Sequence, residues 1–224
     1  MHNNEAADYI ALQLGPLAIS HTVLTTWGVM LVFGLTALLL RKSAYLQTAA
    51  EMLVVAIELA ISEVLPAGSV RKVLPFVATL WLFVLTANLV GLIPELHAPT
   101  RDISATAALA VLVFGSTHWF SIRERGLRQH LHHYIEPSII LLPFHIISEF
   151  TRTLALAIRL FGNMMSLEMA ALLVLLIAGF LAPVPLLMLH VVEAVVQAYI
   201  FGMLALIYIA SALEPNESDT PDQP

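Results

Sequence analysis

The sequence predicts an all-α membrane protein with about five transmembrane helices and one amphipathic helix on the cytoplasmic surface, its last two helices forming a long tilted hairpin. Three observations predict this. Of 224 residues, 59% are hydrophobic and only 12% charged, with a mean hydropathy of +0.86, which leaves too little polar surface to coat a soluble globule. The apolar residues gather into runs of about the ~20 residues that a helix needs to cross a ~30 Å hydrocarbon core. Most basic residues sit in pairs and triplets between these runs, where they orient a membrane protein.

The elements follow in order. Residues 1–16 form an external N-terminal segment. The run 17–40 is long enough to span, and it is not a cleaved signal peptide: no basic residue precedes it, it is too long, and Arg41 and Lys42 follow it. Spans are also expected at 73–93, ending before Pro94, and at 103–122. The segments 137–181 and 183–213 exceed a perpendicular crossing and must tilt or run beyond the bilayer. Segment 44–65 is ambiguous. It is long enough to cross, yet Gln47, Glu51, Glu58 and Ser62 share one helical stripe, which suits a helix lying in the interface plane. The charge bias decides against a sixth span. If 44–65 lies flat on the cytoplasmic side, Arg41, Lys42, Arg71, Lys72, Arg123, Arg125 and Arg128 are all cytoplasmic and only Arg101 is outside. The N-terminus is then external and the acidic tail 214–224 cytoplasmic; that tail, with three prolines and four acids, reads as a solvated end.

Composition removes several function classes. There is no cysteine, hence no disulfide, thiolate nucleophile or cysteine-held metal. The longest basic cluster, Arg123 to Arg128, flanks an apolar run, so no nucleic-acid surface is expected. Neither a cofactor nor a metal site is expected.

Two further basic residues, Arg152 and Arg159, fall inside the fourth span and carry the functional argument. An arginine near the centre of a membrane helix costs about 2.5–3.5 kcal/mol on insertion scales, so its presence needs a reason. At 100° per residue, His145, Ser148, Arg152, Asn163 and Ser166 all lie within about 40° of Arg159, so a hydrophilic stripe runs along one face. Ser148, Asn163 and Ser166 also suit simple polar adhesion between helices; that account does not extend to Arg159. On the last helix His190, Glu193 and Gln197 share a face. In an antiparallel hairpin, residues at equal depth have a constant sum of residue numbers, which places Arg159 opposite Gln197 and Glu168 opposite His190. The two polar layers would stand about 12 Å apart along the helices. Glu168 lies half a turn around its helix from Arg159 and faces a different neighbour, an aqueous inlet being one choice. A satisfied Glu168–His190 pair is the structural alternative, although intramembrane ionisable groups usually mark an ion path.

The string Arg159-Leu160-Phe161-Gly162-Asn163-Met164, preceded by Ile147 to Arg152 and followed by Glu168 and by Gln197 to Phe201, resembles subunit a of the F-type ATP synthases. Asn88 to Pro94 is a weaker second match. The resemblance implies an ion-translocating stator without a catalytic site of its own, in a bacterial inner membrane. Its implied partners are a ring of c subunits, b-type peripheral stalk subunits and, through the stalks, the catalytic head. Arg159 would be the essential arginine facing the ring, Gln197 its neighbour, Glu168 and His190 the lining of an inlet half-channel, and Asn163 a polar position beside the same path. The sequence departs from the pattern at Thr153, where proline is common, at His145 and Gly91, where acids are common, and at Glu193, an additional acid. The coupling ion, proton or sodium, therefore stays open.

The implied mechanism is electrostatic. A ring carboxylate can face lipid only when neutralised by its ion, and a permanently charged arginine favours the ionised form without relaying a proton itself. Two other classes compete. An intramembrane metalloprotease is suggested by His190 and Glu193 and by His130, His132 and His133, but the HExxH arrangement is missing. A stand-alone secondary transporter would call for a repeated pair of interrupted helices, and no such repeat is visible.

Overall fold

The computed structural model describes residues 10–14, 17–93, 96, 98–126, 142–179 and 182–213. A short antiparallel hairpin, β1 (Ile10–Leu14) and β2 (Leu17–Ser20), leads into six helices: α1 (His21–Leu40), α2 (Ala44–Ser62), α3 (Ala67–Val90), α4 (Ile103–Arg125), α5 (Leu142–Ala178) and α6 (Val184–Leu213). A 3₁₀ turn at Pro99–Arg101 precedes α4. All six α-helices are long and apolar enough to cross a membrane.

The hairpin corrects the first expected span. Residues 17–20 pair with 10–14 in the register Leu14 to Leu17 and Ile10 to Ser20, so the helix begins at His21. Gly15-Pro16 is a strong turn signal, and the apolarity of the next four residues masked it. The other boundaries move by a few residues, as helix ends do. The second expected span starts six residues early, at Ala67, because Pro66 is extended (φ −63°, ψ 147°) and serves as N-cap. Asp102 caps α4 by accepting a hydrogen bond from the Ser104 amide at 2.9 Å. Residues 137–141 and 180–181, expected at the ends of the fourth span, and His130, His132 and His133 lie outside the described residues.

Helix α6 is the centre of the bundle. Its buried residues, among them Ala194, Ala198, Phe201, Gly202, Ala205 and Ile209, recur at three- and four-residue intervals, and half of all those buried on this helix are alanine or glycine. Small residues let helix backbones approach closely where no hydrophobic effect separates protein from lipid. At Gly202 the approach is extreme: an added Cβ would sit 1.5 Å from the Trp81 ring nitrogen, and that indole stacks on Tyr199 and donates a hydrogen bond to its carbonyl at 3.2 Å. One core unites Leu80 and Val84 of α3, Val113 of α4, Leu156 and Leu160 of α5, and Phe201 of α6. A second joins Ile57 and Ile61 of α2 to Val73 and Val77 of α3 and to Leu206 and Ile209 of α6.

Helices α1 and α2 are peripheral. Only Val29 is buried in α1, and in α2 only Ile57 and Ile61, near its C-terminal end. The rest of α2 leaves the bundle, with Gln47, Glu51 and Ser62 exposed.

Candidate functional site

Helix α5 brings the polar stripe to the surface. Arg159 is exposed, and among the described residues its guanidinium has neither an ion pair nor a hydrogen bond. Leu156 and Leu160 beside it are buried in the core, whereas Leu154 and Ile158 are about half exposed. The arginine therefore stands at the border between the packed face of α5 and an open apolar flank. On α6, Val192, Val195, Val196 and Tyr199 are also exposed.

One turn beyond Arg159, the Asn163 Nδ2 donates to Gln197 Oε1 at 2.8 Å. This corrects the expected register, in which Gln197 stood opposite Arg159: α6 is displaced by about one turn, and the constant-sum rule assumed an ideal, level hairpin. The Gln197 side chain is buried (2% exposed) and its Nε2 has no partner, so one amide donor points into the protein beside the arginine layer. Ser166 is exposed on the arginine's face, and Glu193 is half-buried on α6.

The expected outer layer is not a Glu168–His190 pair. Glu168 forms an ion pair with Arg101 of the 3₁₀ turn, as its position on the opposite face from Arg159 allows. His190 is buried, and its Nε2 lies 3.2 Å from the backbone carbonyl of Asn88. That carbonyl belongs to the last turn of α3 and also accepts from the Gly91 amide at 3.3 Å. The Asn88 side chain is fully buried with neither its oxygen nor its nitrogen satisfied, and Thr100 Oγ1 is also unpartnered. Unpaired buried polar groups of this kind carry a free-energy penalty unless water or an ion reaches them. Gly91 fits the same corner: a Cβ there would lie 3.1 Å from that of Ala98 and 3.5 Å from the His190 ring.

At the other end of α5, His145, Ser148 and Arg152 line a cavity of about 160 Å³ together with His118, Glu149 and Tyr208. Arg152 lies over the Tyr208 ring at 5.6 Å, a cation–π contact. His118 Nε2 is 3.4 Å from Glu149 Oε1. Thr153, where proline is common in the pattern, bonds its hydroxyl to the Glu149 carbonyl at 3.0 Å, so the helix continues there unbroken. The expected stripe thus divides into an arginine layer and a polar vestibule. Arg101, Asn88, His118, Glu149 and Tyr208 were not singled out as site residues from sequence. A solitary histidine in the α4 run, flanked by Thr117 and Ser121, was the available signal for His118. For Arg101 it was being the only basic residue outside.

Close to the start of α4, Asp102 Oδ2 accepts from the Thr22 hydroxyl at 2.9 Å. Partial burial pushes its carboxyl pKa up, but the Ser104 amide and the Thr22 and Ser104 hydroxyls outweigh this and hold it below the usual carboxylate value. Among the described residues no group of three histidines or acids is placed to hold a metal ion.

Residues 22–210 match the family described as "ATP synthase A chain". The chain is 61% identical over 210 residues to "ATP synthase subunit a 2" of Pelobacter propionicus, covering 92% of each chain. It is 55% identical over 217 residues to "ATP synthase subunit a 1" of Hahella chejuensis, covering 95% of this chain and 92% of that one. With "ATP synthase subunit a" of Legionella pneumophila it shares 52% identity over 216 residues, 93% of each.

Proposed function

The chain belongs to the ATP synthase A chain family, and from that membership we propose that it is the ion-guiding stator against which the c-ring turns. It is a multi-pass protein of the membrane sector that serves ion transport and ATP synthesis and assembles with the rest of the complex. In the proposed reading it sits in a bacterial inner membrane with its N-terminus outside and residues 214–224 cytoplasmic. It has no catalytic site of its own and reaches the catalytic head through b-type stalk subunits. Helix α2 lies in the cytoplasmic interface; its buried residues, Ile57 and Ile61, lie near one end, which suits a helix that leaves the bundle.

The observation that carries the proposal is the exposed, unpaired Arg159 on an open apolar flank. A charge at that depth is costly unless a partner covers it, and this chain supplies none among its described residues. A passing ring carboxylate would. Such a carboxylate crosses lipid neutral, ionises opposite Arg159, releases its ion to one half-channel and is reloaded from the other. Glu168, His190 and the unsatisfied Asn88 mark the external inlet, and the vestibule at His145, Ser148 and Arg152 the cytoplasmic one. Asn163 and Gln197 hold the arginine layer's polar lining between them, and Glu193 and Ser166 extend it. Each elementary charge crossing 100 mV delivers about 2.3 kcal/mol, so a leak past Arg159 would waste the coupling.

The test is ATP-driven ion uptake by inverted membrane vesicles. Arg159→Ala should abolish uptake while the assembled complex is retained, and Gln197→Leu should weaken it less. Coupled uptake retained in Arg159→Ala contradicts the proposal.

A further inference from the structure

Where α3 begins and α4 and α6 end, the three helices surround a cavity of about 390 Å³. Its walls are divided by chemistry: Val73, Phe120 and Leu213 form an apolar side, and Ser69, Lys72, Arg123 and Glu124 a polar one. The division follows depth. Phe120 precedes Arg123 by three residues and Val73 follows Ser69 by four, so on both helices the apolar member stands about one turn, ~5 Å, further into the bundle than the polar one. Trp119, beside Phe120 on α4, is 65% exposed, and exposed tryptophan collects at the level of lipid headgroups.

The charges of the polar side do not cancel. Lys72 Nζ donates to both carboxylate oxygens of Glu124, at 2.8 and 2.7 Å, which leaves Arg123 over. Among the described residues the Arg123 guanidinium has neither an ion pair nor a hydrogen bond, and the Ser69 hydroxyl has no partner. A guanidinium presents its donors in a planar fork that matches a phosphate. A carboxylate on a neighbouring subunit, or free inorganic phosphate, would satisfy Arg123 and leave the apolar wall to water. A phospholipid answers both halves, and basic pockets between membrane helices are where anionic headgroups bind.

We propose that this cavity holds one anionic phospholipid, its phosphate on Arg123 and Ser69 and an acyl chain against Val73, Phe120 and Leu213. In the proposed orientation the lipid belongs to the cytoplasmic leaflet. The site goes beyond the stator reading, because nothing in it depends on Arg159.

The test places a photoreactive side chain at Leu213 in the assembled complex, in vesicles of phosphatidylcholine with a minor share of phosphatidylglycerol, and sorts the lipid adducts by headgroup. Phosphatidylglycerol should be enriched about fivefold over its share of the bilayer, the factor given by ~1 kcal/mol for one basic side chain at the membrane surface. Arg123→Gln should return it to that share. Glu124→Gln, which frees Lys72, should raise it by up to a further fivefold, and opposite shifts from two adjacent residues are not what a purely structural role produces. Phosphatidylglycerol at its bulk share in the parent overturns the site, as do adducts confined to protein, whether this chain or another subunit. Loss of the lipid adducts on adding inorganic phosphate identifies a soluble-anion site and overturns the lipid assignment. If Arg123→Gln does not assemble, the parent at raised ionic strength decides: enrichment carried by an exposed guanidinium falls toward the bulk share, and enrichment indifferent to salt overturns the proposal. Arg159→Ala should bind the lipid as the parent does, so failure of the stator reading leaves this result unchanged.

Discussion

Arg159 was legible in the sequence because its presence is expensive. Nothing in adhesion or packing explains a guanidinium inside an apolar helix, so function was the remaining account. Its partners were less legible. Gln197 binds Asn163 rather than standing opposite Arg159, and Glu168 turns to Arg101. Both outcomes depend on the tilt of one helix against another and on a distant turn, which side-chain spacing within a helix does not encode. Asp102, a cap that sequence reading passed over, tests the residue scale outside the membrane. Its amide and hydroxyl donors favour the ionised form, so the folded pKa lies below the unfolded value. Its stabilising effect is therefore present above the unfolded pKa and is lost as pH falls through the folded one. Asp102→Ala should cost about 1 kcal/mol, and Asp102→Asn, which can still cap α4, much less. Thermal denaturation of the purified complex near neutral pH measures both, and equal losses would refute the capping account.

At the scale of elements, apolar length located the six helices, with starts displaced by up to six residues among the described ones, because membrane thickness acts on sequence directly. The β hairpin escaped, since four apolar residues after Gly15-Pro16 read equally well as the start of a helix. The α3–α6 crossing also escaped. Gly202 occurs in a run where glycine in a membrane helix is unremarkable, and only the structure places Trp81 against it. Gly202→Ala should force the indole aside, break its bond to the Tyr199 carbonyl and cost about 1–3 kcal/mol. The same change in a Trp81→Ala background should cost markedly less. Equal losses in the two backgrounds, read from thermal denaturation, would mean that Trp81 is not the obstacle.

For the whole molecule, the apolar surface of α5 and α6 is asymmetric: one side packs on α3 and α4, and the other is open with an unpaired cation at its edge. A single sequence shows that a charge is buried in membrane depth but not which side of its helix the chain itself covers. That distinction separates an arginine satisfied within its own bundle from one held for a moving partner. Its direct measurement is photocrosslinking in assembled complexes from Ala155 and Ser166, both exposed on the arginine's face of α5. Photoreactive side chains at these two positions should give adducts with the c subunit. Adducts confined to lipid or to this chain would contradict the claim that Arg159 faces a rotor.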